Sequence, residues 1–163
     1  MKRRSMSLLA KIGLLLILGI ILAGAAMAEQ KTLVVSSSEQ RIDYGNRVFI
    51  YKGEVRAMWE DIVLEADEME VYLAEEENTL KEIIARGNVK VIQKEKNRQV
   101  SGESASYLAE QDRLIIEGQV YYRDELGNDL QADKMTIWIK TERIEAEGTP
   151  VKAIYALGKL QEE

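Results

Sequence analysis

The 163-residue chain has no cysteine and no histidine, a single proline at Pro150 and a single phenylalanine at Phe49. Without cysteine there is no disulfide, no thiolate nucleophile and no lipid anchor attached through cysteine, so an exported chain of this size is held by its apolar core. Without histidine the commonest general base and the commonest zinc ligand are missing, and any catalysis would rest on carboxylates, Ser, Lys or Tyr. With one proline, and no Ser/Gly/Pro tract after Ser36-Ser37-Ser38, there is no internal linker, and residues 40 to 158 read as continuous folded structure.

The one long hydrophobic run is at the start, MKRRSMSLLAKIGLLLILGIILAGAAMA. A basic opening through Lys11, an apolar run from Ile12 to Leu22 and the ending Ala26-Met27-Ala28 predict a cleavable secretory signal over residues 1–28. Behind it the reading places a lead-in at 29–40, one folded domain at 41–158 and a loose tail at 159–163. The competing expectation is an inner-membrane anchor retained over residues 12–28, a stretch near the roughly 20 residues that a spanning helix needs. Either way the remainder is expected outside the cytoplasm. Cleavage leaves 135 residues, enough for one domain, with 18 basic against 28 acidic side chains and a net charge of −10. An acidic chain of this kind is not expected to bind nucleic acid, whose phosphates need a basic surface.

What the body does contain is a repeat. Gly53-Glu54-Val55, Gly87-Asn88-Val89 and Gly118-Gln119-Val120 place their glycines 34 and 31 residues apart, and Gly148, with Pro150-Val151 behind it, is a degenerate fourth copy. Between them recurs an apolar, a polar, a small and an acidic residue: Leu64-Glu65-Ala66-Asp67, Val100-Ser101-Gly102-Glu103 and Leu130-Gln131-Ala132-Asp133. Around each glycine the residues alternate. Phe49, Tyr51, Val55, Ala57 and Trp59 share one parity against Lys52, Glu54 and Arg56, and the same holds for Ile83, Ala85, Val89 and Val91 and for Leu114, Ile116, Val120 and Tyr122. Period two predicts half-buried strands. The glycine therefore belongs to a strand and is expected to bend it.

Residues 66–85, ADEMEVYLAEEENTLKEIIA, are rich in helix formers, with Met69, Leu73, Leu80 and Ile84 near helical spacing. Their repeat partners alternate and carry β-branched residues, as in Met135, Ile137 and Ile139, so strand, turn at 75–79 and strand is the consistent reading. Ten or so strands without a helix must cover their apolar face with another sheet or curl, which leaves sandwich, jelly roll and β-solenoid open, with exposed edges at both ends.

Chemistry is sparse. Asp67, Glu103 and Asp133 occupy equivalent positions and would be the best paired carboxylates, but an acid after a small residue at every kink is better read as bonding local backbone. The turn 124–129, DELGND, lacks the full ligand spacing of a calcium loop. Ser101 and Ser104 lie in no nucleophile elbow. Lys94 and Lys96 read as solvated turn residues. The apolar parity set is core by default, unless two sheets part into a wedge that leaves its lining free for a lipid chain.

Phe49-Ile50-Tyr51-Lys52-Gly53-Glu54-Val55, then Leu64-Glu65-Ala66-Asp67-Glu68-Met69-Glu70-Val71, then Ile84-Ala85-Arg86-Gly87-Asn88-Val89 resembles the LptA/OstA-like family of lipopolysaccharide-transport proteins. The likeness covers about residues 40 to 152, and the motifs, short one by one, recur in order behind a signal sequence. It implies an all-β, twisted, open β-jellyroll whose interior shields lipid A acyl chains in the periplasm. It further implies no enzymatic activity, no cofactor and no metal. The implied partners are lipopolysaccharide and like-folded OstA-type domains of inner- and outer-membrane components, joined end to end with further copies into a bridge. An LptC-like, membrane-anchored relative shares the fold. Carried over by parity alone, the lipid lining is expected at Phe49, Tyr51, Val55, Leu64, Met69, Val89, Tyr107, Ile116, Val120, Met135 and Ile137.

Overall fold

The alternating segments form ten strands in a computed structural model that describes residues 32–75 and 79–157. They are β1 (Leu33–Ser36), β2 (Glu39–Asp43), β3 (Val48–Trp59), β4 (Ile62–Leu73), β5 (Leu80–Gln93), β6 (Arg98–Leu108), β7 (Arg113–Arg123), β8 (Asp129–Trp138), β9 (Arg143–Glu147) and β10 (Lys152–Ile154). The segments read as a signal sequence at 1–28 and as a loose tail at 159–163 lie outside the described residues, as does part of the turn at 75–79. Every pairing is antiparallel, and β3 to β8 run as a meander with each strand beside its sequence neighbour. The helix-rich composition of 66–85 does not prevail: β4 and β5 take it as strands, and Ala74 N donates to Thr79 O at 2.8 Å across the turn between them.

All six central strands are interrupted along one line. Gly53-Glu54 of β3 oppose the single residue Asp67, Gly87-Asn88 of β5 oppose Glu103, and Gly118-Gln119 of β7 oppose Asp133. In each pair both residues have positive φ, for example 76° at Gly87 and 48° at Asn88. This two-against-one bulge bends the strand, as the glycine pattern predicts. The odd strands keep their inward parity across it. The even strands change theirs, so that Leu64 and Ala66 point inward before Asp67, and Met69 and Val71 after it.

The acid at the bulge closes over the next glycine. Asn88 Nδ2 donates to Asp67 Oδ2 at 2.8 Å, Gln119 Nε2 donates to Glu103 Oε1 at 2.9 Å, and Thr149 N donates to Asp133 Oδ2 at 3.0 Å. The fourth copy around Gly148 thus continues the line, as Ser38 does at the other end by donating its N–H to Gly53 O at 2.9 Å. Both edges are broken at this line into two short strands. β1 and β2 pair with the two ends of β3, and β10 and β9 with the two ends of β8.

The bulge line divides the sheet into two halves. The β1-side half holds β1, residues 55–59, 62–66, 89–93, 98–102, 120–123 and 129–132, and β10; the β2-side half holds β2, residues 48–52, 68–73, 80–86, 104–108, 113–117 and 134–138, and β9. Their inner faces form one hydrophobic core that includes Val55, Leu64, Met69, Ala85, Val89, Ile116, Val120 and Met135. Each buried Val, Leu, Ile or Met side chain among them contributes about 1.5–3 kcal/mol by burial. On the outer face, cross-strand pairs such as Lys52–Glu68 and Arg56–Glu65, both at 3.1 Å, are solvent-exposed and add little.

The bulge is testable through its glycine. A Cβ on Gly87 would lie 2.9 Å from Asp67 Cβ and Cγ, on a backbone at φ 76°. Gly127 has a similar φ of 80° with nothing within 4 Å. Gly87→Ala is expected to cost about 2–4 kcal/mol in urea unfolding, against about 1 for Gly127→Ala, which keeps only the left-handed backbone term. Equal costs would show that contact with Asp67 does not constrain the bulge.

Candidate functional site

The two halves face each other with an offset. Trp59, at the end of β3 on the β1 side, meets Tyr107 of β6 on the β2 side, edge to face at 5.8 Å between ring centroids and 61° between planes. Further along, the turn at 94–97 on one half lies against the turn at 139–142 on the other, where Glu142 forms ion pairs with Lys96 and Arg98. Opposite the bulge line the halves therefore approach through hairpin turns rather than through backbone hydrogen bonds. A folded sheet open on this side is a cleft.

Two small cavities lie in it. One, of about 60 Å³, is lined by Leu33, Ala57, Trp59, Leu64, Ile83 and Tyr107, among others, and is almost wholly apolar. The other, of about 70 Å³, has Val100, Tyr122, Ile137 and Ile144 on its wall, with Gln93, Arg98 and Glu142 at its rim. Ile62, Val91, Leu114 and Ile139 line both. At about 30 Å³ per water, each holds little more than two waters. Around these two cavities the cleft is thus narrow and its lining mostly apolar, while at the β1–β2 end the inner face opens into a pocket of about 260 Å³ walled by Leu33, Phe49, Tyr51 and Val71 among others.

Burial raises the pKa of Tyr51 and Tyr122. Tyr107 is pushed up to about 12, by burial first and then by the charge and hydrogen bond of Asp112, whose Oδ1 accepts from the phenol at 3.2 Å. All three rings are neutral across the physiological range, and they present apolar faces to the cleft.

The eleven residues expected on parity are all placed on this inner surface. Val55, Leu64, Met69, Val89, Tyr107, Ile116, Val120 and Met135 are buried in the core cluster, Met69, Ile116 and Met135 completely, and Phe49, Tyr51 and Ile137 pack against it half-buried. The most deeply buried of them, Val55, Met69, Val89, Ile116, Val120 and Met135, lie near the bulge line. Only Leu64, Tyr107 and Ile137 of the eleven reach the two cavities. The open side belongs to residues at strand ends, Ile62, Leu114, Ile139 and Ile144; parity turns Leu114 and Ile139 inward but does not tell which inward residues reach the opening. The recurrent acids do not converge: Asp67, Glu103 and Asp133 are exposed, and each bonds its own bulge. Asp124 is used inside its turn, accepting from Leu126 N and Asn128 N at 2.9 Å each.

Lys96, Arg98 and Glu142 were not visible as a group in the sequence. They lie in different repeats and carry no shared motif, and the folding of the sheet brings them together. Among the described residues no helix is long and apolar enough to cross a membrane.

The crystal structure of LptH, the LptA homologous periplasmic component of the conserved lipopolysaccharide transport device from Pseudomonas aeruginosa, superposes with a TM-score of 0.71 at 15% identity. The match covers 78% of this chain and 96% of that one, and the two share the fold. No curated protein matches the chain. Residues 34–143, well over half of the chain, match the family described as LptA/(LptD N-terminal domain) LPS transport protein. With the repeat, the open folded sheet and the family match in agreement, the chain is a member of the LptA/(LptD N-terminal domain) family of lipopolysaccharide-transport proteins.

Proposed function

We propose that the chain is a periplasmic lipopolysaccharide carrier that shields lipid A acyl chains between its two half-sheets and catalyses no reaction. The observation that carries this reading is the cleft itself, a continuous apolar inner face that reaches the surface on the side opposite the bulge line. Family membership supports it.

An acyl chain is far larger than either cavity, so it enters by parting the halves rather than by filling a preformed hole. A twelve-carbon chain gains on the order of 9 kcal/mol gross on burial, at about 0.8 kcal/mol per methylene. The net gain is smaller, since protein–protein contacts across the cleft are exchanged for protein–lipid ones and the chain is immobilised. No hydrogen bond of the sheet need break, because the bulge line joins the halves and the open side is closed by side chains.

The ends of the sheet fit a bridge. The order terminates in β1 and β2 at one end and in β10 and β9 at the other. The offset between halves leaves Ile42 of β2 41% exposed at the first end and Ile154 of β10 48% exposed at the second. Like-folded domains can add to both ends by edge pairing, extending the inner surface from one subunit to the next. In this reading residues 1–28 export the chain and are removed.

Ile139 lines both cavities from the turn after β8, where a larger side chain has room to adjust. Ile139→Trp is expected to weaken saturable binding of a fluorescent acyl probe, and its displacement by lipopolysaccharide, at least fivefold without lowering the unfolding midpoint. Tyr121→Trp, in the strand position between the inward Val120 and Tyr122, is expected to leave binding unchanged. Absence of saturable binding in the unmodified chain would instead identify a filled structural β-repeat.

A further inference from the structure

We infer that Lys96 and Arg98 form a subsite for the phosphate headgroup of an amphiphile whose acyl chain lies in the cleft, and that Glu142 is the internal anion this phosphate displaces. The inference rests on the lipid reading above and adds to it the chemical class of the headgroup and the place where it sits.

Arg98 is an inner-face residue. It shares parity with Val100 and Gly102, pairs with Gln93 in the β5–β6 register, and lines the larger cavity at its rim. An arginine aimed at an apolar cavity needs acceptors. Arg98 has few: Nη1 lies 3.9 Å from Glu142 Oε1, and Nε is buried with no hydrogen-bond partner among the described residues. Lys96, in the adjoining turn, forms an ion pair with the same carboxylate. Two cations at the polar end of an apolar wall thus converge on one acceptor group, in a chain whose mature charge is strongly negative.

Glu142 is poorly committed to this role. Its side chain is 45% exposed and that of Lys96 40%, and an exposed pair of this kind is weak. Its backbone is left-handed, at φ 55°, on the turn that closes the opposite half. The other groups facing Arg98 are not free to compete: Asp124 is engaged in its own turn and Tyr122 is a neutral phenol. A phosphate brings more oxygens and more charge than one carboxylate, and a guanidinium fork binds such a group through two parallel hydrogen bonds. Displacing Glu142 also releases the ion pairs that hold the two turns together across the open side, so headgroup binding and parting of the halves favour each other.

The experiment compares dodecyl phosphate, dodecyl maltoside and inorganic phosphate by tryptophan fluorescence, using the mature chain, Lys96→Gln/Arg98→Gln and Glu142→Gln. The unmodified chain is expected to bind dodecyl phosphate at least tenfold more tightly than dodecyl maltoside, as charge-assisted hydrogen bonds at a half-buried rim would give. The double variant should bring the two within about twofold while leaving maltoside binding intact, which also reports that the cleft still folds. Glu142→Gln should tighten dodecyl phosphate severalfold more than it tightens the maltoside, whose gain is limited to the easier parting of the halves. Equal binding of both amphiphiles by the unmodified chain, a phosphate preference that survives in the double variant, or an indifferent Glu142→Gln would each overturn the headgroup site while leaving the cleft reading in place. Inorganic phosphate binding as tightly as dodecyl phosphate would overturn it in favour of a free-anion site. Binding of neither amphiphile would remove the lipid reading and this inference with it.

Discussion

Everything in this molecule depends on a line of left-handed bulges. Gly53-Glu54, Gly87-Asn88 and Gly118-Gln119 insert one extra residue each into alternate strands, and Asp67, Glu103 and Asp133 close over the glycine or amide beside them. A flat antiparallel sheet of this length would leave one apolar face in water. Folding along the bulge line lets the sheet cover itself, without a helix or a second sheet. The turns, the offset of the halves and the cleft are consequences of where that line runs.

The same inner face then serves two ends. Near the bulge line it is packed and dry, with Met69, Ile116 and Met135 fully buried. Toward the open side the packing loosens into two small cavities around the Trp59–Tyr107 contact, and polar groups appear at the rim. Stability is thus concentrated at the hinge, and the part that would yield to lipid in the proposed role is held by side-chain contacts and exposed ion pairs, the weakest class available. Such a gradient lets one sheet remain folded while its mouth changes width.

Much of this was legible in the sequence because the repeat averages over local ambiguity. Residues 66–85 read alone as a helix, and only comparison with 101–116 and 131–146 turned Met69 and Ile84 into strand residues. The glycine triplets announced a bend, and the inward parity of Phe49 through Ile137 survived. What was hidden is the partition of that inner face. Parity states which side a residue faces but not whether its neighbours across the fold lie against it, so Val89 and Ile116, deep at the hinge, looked equivalent to Leu114 and Ile139 at the mouth. Lys96, Arg98 and Glu142 were hidden for a related reason: their proximity arises from the offset of two half-sheets, a long-range geometry that no repeat encodes.

The central claim is that lipid lies between the halves and parts them. Because the chain has no cysteine, spin labels can be placed at will. Lys94→Cys and Lys140→Cys put one label on each of the two turns that face each other across the open side, on exposed residues that line neither cavity, while Tyr121→Cys and Gln131→Cys mark paired positions within one half. The distance across the cleft, measured by pulsed electron–electron resonance with and without lipopolysaccharide, is expected to lengthen and the distance within the half to stay fixed. Saturating lipid with an unchanged distance across the cleft would contradict the account.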